Sequence, residues 1–157
     1  MREGTTVIWL EYLSRHHGDK LGIGVYTSKE EAVEAVGRLS TKPGFISDPS
    51  RFRAASYKVD WAYPSEPPRE TPSALSGDRS ATPLARAPEL FCLWYSEDPL
   101  QLGPAKLVGV FSTRDKAAAA KARLAEEGGY PTEAEHWPLD AYTIDDDNWT
   151  SGFATID

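Results

Sequence analysis

"VGVFSTRDKA", residues 108–117, says again almost what "IGVYTSKEEA" says at residues 23–32. Displacing the sequence by 85 positions lays 23–60 on 108–145 without a gap, and nine of those 38 pairs are identical. They are Gly24/Gly109, Val25/Val110, Ala32/Ala117, Ala35/Ala120, Arg38/Arg123, Leu39/Leu124, Gly44/Gly129, Tyr57/Tyr142 and Asp60/Asp145. Unrelated stretches of that length share roughly two, so the chain carries a duplicated unit. Upstream, "VIWLEY" (7–12) matches "LFCLWY" (90–95), but at a displacement of 83. The offset changes within 13–22 and 96–107. Loops absorb insertions and strands do not, which predicts a hairpin loop at that point in each copy.

The local pattern gives each copy its elements. Residues 6–13 are apolar, aromatic and β-branched, as strands are. "LGIGVYT" (21–27) reads as a second strand, antiparallel to the first. The period then changes: Ala32, Ala35, Val36 and Leu39 fall at i, i+3, i+4 and i+7, one face of a helix. Thr27 and Glu30 have the spacing of a helix start, and Ser112 and Asp115 repeat it. "KPGF" (42–45) and "EGGY" (127–130) supply glycine stops. A third strand is expected near 53–60 and 138–145, after the aromatic anchors Phe52 and Trp137. The Gly24/Gly109 identity predicts a close backbone approach or a bulge in the second strand.

The fold class is therefore α+β, a tandem duplication of a β-β-α-β unit. Each copy has an antiparallel sheet and one helix. A three-stranded sheet covered on one side leaves apolar surface exposed, so the copies are expected to pack about a pseudo-twofold axis. The copies span 1–63 and 89–157. Between them, 64–88 holds six prolines and reads as a flexible or polyproline-like linker.

Bulk properties narrow the function. A net charge of −7 opposes sequence-independent nucleic-acid binding, which needs cations to displace counterions from phosphates. No apolar run is long enough for a membrane span, and "MREGTTVIWLEY" lacks the apolar core of a signal peptide, so a cytoplasmic setting is expected. The single cysteine, Cys92, sits in an apolar strand and reads as a buried thiol. Adjacent His16 and His17 point to opposite sides of an extended loop and do not make a metal site. There is no G-x-S-x-G, P-loop or H-E-x-x-H. We expect no enzyme, no cofactor and no bound metal.

The positive signals are acidic and aromatic. From 133 to 147 stand Glu133, Glu135, Asp140, Asp145, Asp146 and Asp147 without a Lys or Arg, a surface suited to a basic protein. The strand alignment pairs Trp9 with Cys92 and Trp94 with Glu11. On that reading Trp94 turns to the face opposite the equivalent of Trp9. That makes it an interface candidate, with burial between the copies the competing reading.

The second copy also resembles a family of small bacterial domains of unknown function. Its "VGVFSTRDKA" resembles an (I/V)GV(Y/F)S(S/T)xxEA opening, with Lys116 at the glutamate position. Its Tyr142, Ile144, Asp145, Trp149, Gly152 and Phe153 fit a Y-x-(L/I)-D-x-x-x-W-x-x-G-F close. The first copy ends instead in "YKVDWAYP" (57–64), without W-x-x-G-F. The resemblance carries no activity with it. By analogy with compact acidic immunity proteins, the expected function is a non-enzymatic protein-binding module. The favoured version neutralises a basic bacterial toxin through Trp94, Glu133, Glu135, Asp145, Asp146, Asp147 and Trp149. The alternative is a small-molecule sensor or regulatory domain with a ligand cleft between the copies.

Overall fold

The computed structural model describes residues 5–14, 20–75, 89–97 and 105–153. The β-branched and aromatic stretch at the start forms β1 (Thr6–Leu13), the centre of a three-stranded sheet. It pairs antiparallel with β2 (Lys20–Tyr26) on one side and β3 (Phe52–Lys58) on the other. Helix α1 (Lys29–Leu39) links β2 to β3. The second copy repeats the plan: β4 (Glu89–Tyr95) lies between β5 (Lys106–Phe111) and β6 (Leu139–Thr143), and α2 (Arg114–Gly128) follows β5. The duplicated α+β unit is thus present.

Strand alternation decides which residues face which layer. In β1, Ile8, Leu10 and Tyr12 turn towards α1 and pack with Ala32, Ala35 and Leu39. Val7 and Trp9 turn the other way, into a core shared with Leu90, Cys92, Leu107 and Val110 of the second copy. Leu93, Tyr95 and Val108 pack on Ala117, Ala120 and Leu124 of α2. The two sheets therefore lie face to face with a helix outside each. Each sheet covers the apolar face that the other could not bury alone.

The helix starts differ from expectation by one residue. Ser28 Oγ accepts from the Glu31 amide at 3.2 Å, and Thr113 Oγ1 from the Lys116 amide at 3.1 Å. Thr27 and Ser112 are taken up by another contact, described below. Gly129 ends α2 in the left-handed region at φ 68°, as "EGGY" predicts. In the first copy α1 stops earlier, at Leu39, and Gly44 (φ 83°) opens a short 3-10 turn, Phe45–Ser47.

The stretch 64–88 is only partly a linker. Glu70 pairs with Ala54 on the edge of β3 through hydrogen bonds of 2.7 and 2.9 Å, and Leu75 is buried in the first core. An open strand edge and a buried acid, Glu11, hold this part in place. Residues 76–88 lie outside the described residues.

The segments after β3 and β6 cross over. The Asp60 amide donates to Val110 O at 2.8 Å, and the Tyr63 amide to Val108 O at 2.7 Å. The mirror contacts run from the Asp145 amide to Val25 O at 2.8 Å and from the Asn148 amide to Ile23 O at 2.9 Å. Every one of these residues has its counterpart 85 positions away, with Tyr63 standing for Asn148 and Val108 for Ile23. Each copy therefore covers the outer edge of the other copy's second strand. An uncovered edge would offer unpaired amides and carbonyls to other chains.

Candidate interaction surface

Asp60 and Asp145 fold back at the crossing points, both in the left-handed region (φ 65° and 57°), which aspartate tolerates better than most residues. The Asp60 carboxylate accepts from the Ser112 amide at 2.7 Å, from the Ser112 hydroxyl, and from Lys116 Nζ at 3.1 Å. Asp145 accepts from the Thr27 amide at 2.7 Å and from the Thr27 hydroxyl at 2.9 Å. Burial opposes the charge on Asp60, but the donors around it prevail and hold its carboxyl below the usual carboxylate range.

Gly24 and Gly109 make this geometry possible. A Cβ on Gly24 would stand 2.7 Å from Asp146 O, and one on Gly109 would stand 2.7 Å from Trp61 O. The strand register also shifts beside each, between Leu10 and Glu11 and between Leu93 and Trp94. Both expectations for this glycine pair, close approach and bulge, are met.

Asp147 is likewise tied inward. Arg38 Nε and Nη2 donate to its two oxygens at 2.8 and 3.0 Å, and Tyr26 Oη donates at 2.6 Å. The Arg38 hydrogen bonds outweigh burial and hold the Asp147 carboxyl below its ordinary range. Burial, then the bond to Asp147, pushes the Tyr26 phenol well above its own. Of the three consecutive aspartates, Asp145 and Asp147 join the copies, and Asp145 stays exposed as Asp146 is.

Trp94 does not occupy an outward face. It lies two residues after Cys92, so it shares the inner face with Cys92 and with Trp9. Its ring meets Trp9 edge to face at 5.4 Å, and Tyr142 meets Trp9 from another side at 5.3 Å. The small Cys92, aligned with Trp9, leaves room for these large rings. Burial pushes the Cys92 thiol well above its ordinary range, in keeping with an inert core residue. The space between the copies, where a ligand cleft would lie, is filled by these side chains.

Glu11 is the residue that sequence reasoning passed over. It is fully buried in β1, accepts from Trp9 Nε1 at 2.7 Å, and stands 3.4 Å from Arg69 Nε. Arg69 comes from the Pro-rich stretch. It also donates to Glu66 at 2.7 Å and to Tyr57 Oη at 3.1 Å. A buried carboxylate needs a cationic partner, so this acid draws the start of the linker onto the sheets. The signal in the sequence is a lone Glu inside the apolar run "VIWLEY".

The outward surface is what remains. Glu133, Glu135, Asp140, Asp145 and Asp146 are exposed. Trp149 is 44% exposed at a left-handed φ of 62°, and Trp61 is 56% exposed with Lys58 Nζ 5.4 Å from its ring. Trp61 was not singled out from the sequence. His16 and His17 lie outside the described residues. No helix among the described residues is long and apolar enough to cross a membrane. No family model, no curated protein and no solved structure matches this chain.

Proposed function

We propose that the chain is a non-enzymatic protein-binding module of the immunity type, which neutralises a basic toxin domain in the cytoplasm. Trp149 carries this reading. A tryptophan with a left-handed backbone costs about 1 kcal/mol or more, and such strain tends to persist where a side chain is needed in one place. Trp149 and Asp146 are three residues apart in the sequence and both exposed, with Glu133 and Glu135 also exposed on the second copy. An aromatic anchor with acidic neighbours suits a cationic protein surface. The overall charge of −7 would speed the encounter.

The test is co-expression with toxin domains encoded beside the chain's gene. Protection from one basic domain, weakened by Trp149→Ala and by Asp146→Asn, is the expected result. Growth arrest despite stable expression, or protection indifferent to both substitutions, would overturn the reading.

A further inference from the structure

The duplication supplies its own comparison, because one copy is finished and the other is not. In the first copy, Phe153 closes an aromatic pocket formed by Tyr12, Phe45 and Phe52. Its ring lies 5.0 Å from Phe45 and 5.5 Å from Tyr12. The Phe153 amide donates to Pro43 O at 2.9 Å. Two glycines permit this seating. Gly152 (φ 77°) passes so close to Pro43 that any Cβ would strike its carbonyl oxygen. Gly44 lies under the Phe153 ring, where a Cβ would stand 2.6 Å away.

The second copy holds the same pocket. Tyr95, Val108, Leu124, Tyr130 and Trp137 line it, at the positions of Tyr12, Ile23, Leu39, Phe45 and Phe52, and Tyr63, Pro64 and Lys106 complete its wall. Tyr95 meets Trp137 at 4.7 Å and Tyr130 at 4.8 Å. The first copy's tail lines one side of the groove with Tyr63 and Pro64 and lacks the Gly-Phe pair that fills the first. It hydrogen-bonds Val108 through Tyr63, then turns away at Pro64, whose carbonyl accepts from Lys106 Nζ at 2.8 Å. Glu70 rejoins β3. Gly129, the counterpart of Gly44, has nothing within 4 Å of where its Cβ would be.

We infer that the groove over Gly129 is a docking site for an extended segment of a partner protein carrying a Gly-aromatic pair, seated as Gly152 and Phe153 are seated in the first copy. The finished copy defines the occupant's chemistry: one aromatic ring, a preceding glycine in the left-handed region, and a backbone amide offered to the carbonyl before Gly129. A second copy of this chain is a weaker occupant, because its Phe153 would have to leave an equivalent pocket to enter this one. The inference rests on the reading of the chain as a protein-binding module. Its test needs no partner protein, so the two can fail separately.

The probe is the hexapeptide Asn-Trp-Thr-Ser-Gly-Phe, the sequence of residues 148–153, titrated into the intact, isotope-labelled chain. The indole NH of Trp137, which donates to Pro131 O at 2.8 Å, reports the second groove, and the Trp149 indole reports release of the chain's own tail. A saturable shift at Trp137 but not at Trp149 is expected, absent with the Phe→Ala peptide. Tyr130→Ala, checked for folding by its thermal melt, should weaken binding about tenfold, as loss of an anchor contact does. Four results would each overturn the inference. They are no shift at Trp137, equal shifts from both peptides, movement of Trp149 alone, and a free phenol shifting Trp137 as strongly as the peptide. Sedimentation of the chain as a dimer with Trp137 already protected would assign the groove to a second copy instead.

Discussion

Asp60 and Asp145 show what one residue can do in two places. Each anchors a crossing segment by capping a strand end of the other copy. Asp60→Ala and Asp145→Ala should each cost about 1–2 kcal/mol, the scale of a lost side-chain cap. Because the sites are separate, the double variant should cost their sum, which chemical denaturation can check. Asp60 and Asp147 also set the response to acid. Both folded-state values lie below those of the unfolded chain. Their stabilisation is therefore complete above the ordinary carboxylate range and is lost as pH falls through the depressed folded values. The melting temperature should drop as pH falls below about 5, and Asp147→Asn should flatten part of that drop. The Asp60/Asp145 identity was legible in the sequence. Its role was not, since nothing in a linear repeat says that equivalent residues serve each other's copy.

At the scale of elements, the sequence was most legible where a period ran long enough. The strands follow from their apolar, aromatic and β-branched runs, α1 from the i, i+3, i+4, i+7 face, and α2 from the repeat. Helix α1 contains one avoidable weakness, Gly37, which is exposed and has open space where its Cβ would be. Gly37→Ala should stabilise the chain by about 0.5–1 kcal/mol, seen as a rise in melting temperature. The Pro-rich stretch was harder to read, because composition reports what a segment lacks and not what holds it. Arg69 holds this one. Arg69→Ala would leave Glu11 buried beside an indole N–H and no cation, at a cost of about 3–5 kcal/mol in an unfolding titration. Glu11→Gln in the same background should recover part of it. Trp94 was misplaced for a simpler reason: residues two apart on a strand share a face, and Cys92 already marked that face as the inner one.

For the molecule as a whole, the copies are not two beads. They share an inner core and exchange their closing segments, so neither half holds all of its own contacts. The chain should melt in one transition with coincident signals from both helices and from Trp149 fluorescence. Residues 1–75 expressed alone should lack that cooperative transition, while adding a separate chain of 89–157 should restore it. Two independent melts, or a stable isolated half, would contradict the architecture. The acidic surface belongs to this scale as well. Six carboxylates in sequence suggested one patch; five of them stay exposed, while Asp147 is tied to Arg38 and Tyr26.

The placing of Phe153 bears on how the chain is made. During synthesis the first copy leaves the ribosome with β1, β2, α1 and β3 in hand, but its aromatic pocket and its β2 edge stay open. The residues that close them arrive only at the end of the second copy, a wait of roughly ten seconds at ordinary translation speeds. The nascent first half is thus a sticky intermediate by design of its topology. A host that makes much of this protein would need either a holding chaperone or quick elongation across the second half.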